Sequence, residues 1–171
     1  STSLEYTMSP REAADAMIGD LAARLPDWRV LVNSAAVFQY DTAGAIDPSV
    51  FAETMAVNAQ SPARMAQAFL RLAKAQGGRR VISLTDMKLA NPNPDFFSYS
   101  MSKHALAATV RMLAMAQADP ADRVYGLAPG AMLPSFDQAD QEHEKSGRMN
   151  LLERLNDPQE LADAALFLSQ G

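Results

Sequence analysis

Trp28-Arg29-Val30-Leu31-Val32-Asn33 is the stretch on which the fold turns. Its Val-Leu-Val centre is short, apolar and rich in strand-forming residues, and Asn33 ends it. A helix is expected before it over residues 9–25. Ser9 is its N-cap, Pro10 takes the first helical position and Glu12 stands three residues beyond the cap. Met17, Leu21 and Leu25 recur every four residues and predict its buried face, and Pro26-Asp27 breaks it. A wholly apolar strand between helices implies a parallel sheet covered on both faces.

The same alternation continues downstream. Asp47-Pro48 opens a long helical stretch to about Ala75, with Phe51, Met55, Ala59, Met65, Phe69 and Leu72 at spaced positions, and Gly77-Gly78 stops it. Arg80–Leu84 is a second strand and Asn91-Pro92-Asn93-Pro94 a loop. Phe97–Ala118 is a third helix, closed by Asp119-Pro120. Arg123–Leu127 is a third strand, leading to Ala128-Pro129-Gly130. A polar segment runs from Gln138 to Arg148, and Asp157-Pro158 starts a last helix through Leu168. Strand and helix alternate throughout, so the class is α/β: a Rossmann-type, doubly wound parallel sheet in three layers, α/β/α. Residues 1–171 are expected to be a single, partial domain of this type. In such sheets the chemistry lies in loops at the carboxyl ends of the strands, here beginning at Asn33, Asp86 and Pro129.

Composition narrows the function classes. The 171 residues are 48% hydrophobic and 20% charged, a globular balance. A net charge of −5 disfavours nucleic-acid phosphates and anionic membranes as partners. There are no cysteines, which removes disulfides, thiolate metal sites and a cysteine nucleophile and fits a cytoplasmic location. Two histidines, His104 and His143, make a histidine-rich metal site an unsuitable reading, and no metal is expected. No apolar run approaches the roughly 20 residues that span a bilayer, and Ser1–Glu5 carries no secretory leader pattern.

Tyr99-Ser100-Met101-Ser102-Lys103 places a phenol and an ammonium four residues apart, on one face of a helix. An ammonium beside a phenol favours phenolate, at roughly 1.4 kcal/mol per unit of pKa, so Lys103 is expected to lower the Tyr99 pKa and make a general acid near neutral pH. A pair at this spacing is common on helices; its surroundings add meaning. Asp86 lies 13 residues before Tyr99, directly after the second strand; Asn58 lies in the preceding helix, Asn33 ends the first strand, and Pro129-Gly130 follows the third.

This ordered set resembles the short-chain dehydrogenase/reductase family over about residues 9–171. There a strand ends in Asn-Asn-Ala-Gly, a helix carries an Asn, a strand leads to a catalytic Ser, Tyr-x-x-x-Lys follows 13 residues later, and a further strand ends in Pro-Gly. The resemblance implies that Tyr99 donates or accepts the substrate's proton and that Lys103 binds the nicotinamide ribose and tunes Tyr99. It implies that Asn58 anchors a relay water through its backbone carbonyl. Asn33, Ser34 and Ala35, together with Pro129, Gly130 and Met132 of the loop running on to Leu133, would line the cofactor. Family members usually pair through the two long helices, here about 47–75 and 97–118, so a homodimer or homotetramer is implied.

Two departures carry information. Asn33-Ser34-Ala35-Ala36 replaces Asn-Asn-Ala-Gly, and Asp86 stands where the family places its Ser; Ser83 lies inside the strand and reads as structural. An ionised carboxylate opposes the negative charge that develops on a carbonyl oxygen, whereas it suits the N–H groups of a basic heterocycle. The pteridine reductase branch, with the dihydromonapterin and dihydrofolate reductases, is similar: Asp at this position, then Tyr and Lys. Phe38, five residues after Asn33, matches an aromatic that stacks on the pterin there, and Tyr40 lines the same pocket. Asp86 as a mere strand-end cap, and Phe38 as a core residue, are the plain alternatives. His104 reads as a packing or surface residue, His143 as part of a solvated face, and Met101, Met112 and Met115 as core or subunit interface.

The family's glycine-rich dinucleotide fingerprint does not occur among the eight glycines, and its closing strand is absent after Gly171, so the chain reads as part of a longer fold. The expectation is an NADPH-dependent reductase, with NADH not excluded, transferring hydride to a C=N bond of a dihydropterin or dihydrofolate with Tyr99 as proton donor. The alternatives are a general carbonyl or 3-oxoacyl-[acyl-carrier-protein] reductase of the same family, and a catalytically silent nucleotide-binding scaffold.

Overall fold

A computed structural model describes residues 10–132 and 154–171. The Ser9–Glu12 cap, Leu133 and the polar segment Gln138–Arg148 with His143 lie outside what it describes. Three parallel strands, β1 (Val30–Asn33), β2 (Arg80–Leu84) and β3 (Arg123–Leu127), form one sheet in the order β1-β2-β3. Val30 pairs with Arg80 and Asn33 with Ser83; Arg80 pairs with Arg123 and Leu84 with Leu127. All three strands therefore end together, and their carboxyl ends share one edge. The ladder runs on past the strands: Thr85 N–H donates to the Leu127 carbonyl at 2.8 Å and Met87 N–H to that of Pro129 at 3.1 Å.

Among the described residues, five α-helices connect and cover the strands: α1 (Pro10–Arg24), α2 (Pro48–Met55), α3 (Ser61–Leu72), α4 (Phe97–Met115) and α5 (Pro158–Gln170). Helix α3 packs between α1 and α4, α2 leans on α4, and α5 packs against β2. The core joins Ile18 of α1 and Ala66, Phe69 and Leu70 of α3 to Leu31 and Val81, which are partners in the sheet. Phe69 is wholly buried, worth about 2–3 kcal/mol of apolar burial, and the edge of Trp28 meets its ring at a 4.9 Å centroid distance. Ile82, which strand alternation turns to the opposite face, is also wholly buried.

Three expectations are corrected. The buried face of α1 is Ala14 and Ile18, while Met17 and Leu25 are each 41% exposed; the stripe that meets α3 is offset from the most obvious apolar spacing. Strand β1 is not covered on both faces among the described residues, since Val32 is 47% exposed. The helix expected over 47–75 ends at Leu72 and is not uniform: a π-turn, Ala56–Gln60, separates α2 from α3. There Ser61 N–H reaches back five residues to the Ala56 carbonyl. Pro62 follows and has no N–H, so the carbonyl four residues behind it, that of Asn58, loses its α-helical donor.

Gly77 and Gly78 turn the chain from α3 into β2 with φ of 81° and 89°. A Cβ on Gly78 would run into the main chain of Ala121, two residues before β3.

Candidate active site

The strand ends place Asp86 directly over the edge of β2. Asp86 caps a short 3₁₀ turn, Met87–Leu89, its Oδ1 accepting the Lys88 N–H at 2.8 Å. Its Oδ2 accepts the Tyr99 hydroxyl at 2.5 Å. The strand-end cap and the contact with Tyr99 are made by different oxygens of one carboxylate.

Tyr99 and Lys103 share the buried face of α4. Lys103 Nζ lies 5.6 Å from the Tyr99 ring centroid and donates to the Leu84 carbonyl at 2.8 Å. That leaves two of its three N–H groups for a ligand. The expected lowering of the Tyr99 pKa does not hold. Burial pushes the phenol up, and the Asp86 hydrogen bond and negative charge push it further in the same direction. Lys103 is itself pushed down by burial, against the opposing pull of Asp86. Tyr99 is thus a protonated donor throughout the neutral range.

The Asn58 side chain is structural. It is buried, accepts the Val37 N–H at 2.8 Å, donates to the Val37 carbonyl at 2.8 Å and to Ser102 Oγ at 3.1 Å. These bonds pin the loop carrying Phe38 to the helix carrying Tyr99. The Asn58 backbone carbonyl lacks the α-helical donor that Pro62 cannot supply. Asn33 turns into the fold, donating to the Pro62 carbonyl and to Ser83 Oγ, each at 3.3 Å. Its Oδ1 is buried and has no partner among the described residues. Ser34 and Ala35 are exposed, and Pro129, Gly130 and Met132 are half-buried. A Cβ on Gly130 would stand 2.8 Å from Asn156 Oδ1, so a larger residue there would push that side chain aside.

Phe38 faces neighbours as well as solvent. Its ring stacks on Phe96 at 4.2 Å and 14°, and meets Tyr99 at 4.6 Å and 87°. Tyr40 stands edge-on to Phe96 at 5.2 Å. Phe38 remains 43% exposed, so it is a wall of the site and not a core residue. Phe96 is the residue that sequence reasoning missed. It precedes α4 with φ 51° and ψ 49°, the left-handed region, which costs a bulky residue about 1–2 kcal/mol. Its only sequence signal is a second aromatic beside Phe97. Lys88 was also missed; its Nζ sits 4.8 Å from the Phe96 centroid and 3.4 Å from Asn93 Oδ1. His104 Nδ1 lies 2.8 Å from the Ser100 carbonyl, on the exposed side of α4 and away from the site. Met101, Met112 and Met115 are exposed, which removes the core reading for them.

Among the described residues there is no acidic, histidine or cysteine group able to hold a metal, and no helix long and apolar enough to cross a membrane. The arrangement is a protonated phenol on a carboxylate, a buried ammonium beside it and an aromatic wall.

Comparison with known proteins gives the same frame. The family profile described as enoyl-(acyl carrier protein) reductase matches residues 3–171. Human dehydrogenase/reductase SDR family member 4 is 31% identical over 144 residues, covering 81% of this chain and 52% of that protein. The 7alpha-hydroxysteroid dehydrogenase of Escherichia coli K12 is 35% identical over 101 residues, 54% of this chain and 37% of that one. The crystal structure of FolM alternative dihydrofolate reductase 1 from Brucella canis, complexed with NADP, superposes with a TM-score of 0.85 at 29% identity, over 96% of this chain and 65% of that chain. The chain spans about half the length of the human relative. Matched along nearly its whole length, and with Asp86, Tyr99 and Lys103 assembled at the ends of a parallel sheet, this chain belongs to the short-chain dehydrogenase/reductase family.

Proposed function

We propose that the chain supplies the catalytic half of an NADPH-dependent reductase that acts on the C=N bond of a dihydropterin or dihydrofolate. The observation that carries this reading is the 2.5 Å contact between Tyr99 and Asp86. A carboxylate in that place opposes a carbonyl oxyanion and welcomes the N–H groups of a flat, basic heterocycle. The likeness to a dihydrofolate reductase structure holding NADP points the same way.

The residues present fit the nicotinamide end of the cofactor. Lys103 has two donors left for ribose hydroxyls. Asn33 keeps a buried, unpartnered Oδ1 at the end of β1, beside Ser34 and Ala35. Pro129, Gly130 and Met132 run alongside as close backbone. When bound, the nicotinamide supplies the hydride. Tyr99 then gives its proton to the substrate nitrogen, and Asp86 holds the ring N–H groups and Phe38 the ring face. A phenolate cannot persist 2.5 Å from a carboxylate, so Tyr99 must be reprotonated as it donates. The Asn58 carbonyl, opened by Pro62, holds the relay water for that transfer, and Lys103 stands on the route.

We also propose a homo-oligomer formed through α3 and α4. Met112 and Met115 are 61% and 86% exposed on α4, and a groove of about 380 Å³ lies between the two helices. The test of function is NADPH oxidation by the full-length protein against dihydropterins and simple ketones. Turnover of dihydropterins is expected. Turnover of ketones alone would favour the carbonyl-reductase alternative, and NADPH binding without turnover of either would favour the silent scaffold.

A further inference from the structure

The loop after β1 sends three side chains to the start of α4. Phe38 touches both Phe96 and Tyr99, Tyr40 touches Phe96, and Asp41 reaches Ser98. Asp41 is 4% exposed, and its bonds go to the two residues that follow the left-handed Phe96. Oδ1 accepts the Ser98 N–H at 2.9 Å, Oδ2 accepts Ser98 Oγ at 2.5 Å, and the Asp41 carbonyl accepts the Phe97 N–H at 3.4 Å. Phe96 itself offers no side-chain cap to α4, so Asp41 caps the helix from 57 residues away. Around it, Thr42 bridges to Asp95 and Ala43 N–H donates to the Pro94 carbonyl at 2.9 Å.

A bulky aromatic stays left-handed only where its surroundings hold it. Here the holding group is a buried carboxylate, and its bonds end one residue before Tyr99. We propose that Asp41 is a positioning residue: by clamping residues 97 and 98 it keeps the Phe96 ring on Phe38 and the Tyr99 hydroxyl on Asp86, the arrangement on which the reductase reading rests. Without the clamp Phe96 relaxes, α4 loses its first-turn cap, and Tyr99 gains water and loses its fixed approach to Asp86. Asp86 and Lys103 are the charged groups that face Tyr99 in this structure, and neither touches Asp41.

The test uses the full-length protein with 13C-labelled tyrosine, and Tyr99 is assigned by its loss in Tyr99→Phe. In the wild type Tyr99 is expected to stay protonated across the range in which an ordinary tyrosine ionises, about pH 9 to 11. In Asp41→Ala it is expected to titrate within that range. Asp41→Asn keeps an oxygen for the Ser98 N–H and is expected to restore most of the wild-type behaviour. If Asp41→Ala fails to fold, Ser98→Ala removes only the hydroxyl bond and is expected to shift Tyr99 in the same direction by less. A Tyr99 signal unchanged in folded Asp41→Ala, or in Ser98→Ala where the first variant does not fold, overturns the proposal; a residue that merely stabilised the fold would give that result. Turnover is read separately: Asp41→Ala is expected to lower kcat about tenfold or more with KM for NADPH unchanged. A Tyr99 response in a protein that reduces no dihydropterin would uphold the positioning role and sink the substrate reading. Undiminished dihydropterin turnover with an unchanged Tyr99 would do the reverse.

Discussion

Asp86→Ala is the perturbation with the most to say about chemistry. In the structure Oδ1 is occupied by the Lys88 N–H and Oδ2 by the Tyr99 hydroxyl. Oδ2 can accept a substrate N–H on its second lone pair while keeping the Tyr99 hydroxyl, and the turn at Met87–Leu89 stays intact. The substitution therefore deletes one charge-assisted hydrogen bond to substrate, about 1.5–3 kcal/mol. At about 1.4 kcal/mol per tenfold, kcat/KM for a dihydropterin should fall about 10- to 150-fold. A second effect accompanies it. Burial still raises the Tyr99 pKa in this variant, but the hydrogen bond and the charge of Asp86 no longer do. The phenol must be protonated to donate, so activity is lost as pH rises through its pKa. That limb should lie out of reach in the wild type and move down in the variant, staying above the ordinary tyrosine value because burial remains. Steady-state NADPH oxidation across pH, with a dihydropterin as substrate, measures both effects. A variant within about threefold of wild type, with an unmoved alkaline limb, would refute the reasoning.

Other expectations follow from the same coordinates. Asp122 is buried on Arg79, accepting its backbone N–H at 2.7 Å and its Nε at 3.0 Å. Asp122→Ala strands that guanidinium at a cost of about 3–5 kcal/mol, and at roughly 2–4 °C per kcal/mol Tm should drop by about 6–20 °C in a calorimetric scan. Burial alone would raise the Asp122 carboxyl, but Arg79 and Arg80 outweigh it and hold it below the usual carboxylate range. Its stabilisation is therefore complete above the ordinary carboxylate pKa, about 4, and fades as pH falls through the lower folded value; acid titration of Tm in wild type and variant checks the sign. Pro62→Ala returns an N–H that can close on the Asn58 carbonyl, so kcat should fall about tenfold while Tm holds or rises, with a changed solvent isotope effect on turnover. Phe38→Ala should raise KM for a dihydropterin about tenfold and leave NADPH binding unchanged by titration.

The strands are readable because each is a short, largely apolar run with a polar residue or a breaker at or just after its end, Asn33 for β1, Thr85-Asp86 for β2 and Pro129-Gly130 for β3. Helix faces were harder: α1 carries apolar residues on adjoining stripes, and only the position of α3 decides that Ile18 and not Met17 is buried. The π-turn was invisible because it preserves an apolar face, and Pro62 reads equally well as a first-turn proline. At the site, the 13-residue spacing brought Asp86 and Tyr99 together as expected. The sign of the Tyr99 shift is not legible in sequence, where Lys103 is visible as a neighbour on the helix but the burial and the carboxylate contact that raise the phenol are not. Phe96 could not be found by pattern, since nothing in a residue's identity announces a left-handed backbone.

Gly78 lies at the opposite end of the sheet from the chemistry, yet it sets a dimension of the active site. It lets the main chain of Ala121 press against it, and from there β2 and β3 run in step, pair by pair, until Met87 meets Pro129. The gap between the proton-donor side of the site and the cofactor side is thus measured from the far edge, as a ruler is read from its zero. A side chain at position 78 would displace that zero, and the misalignment would surface beyond the five pairs that join β2 to β3, between Asp86 and Gly130. Selection on catalysis can therefore act on a residue that no substrate approaches.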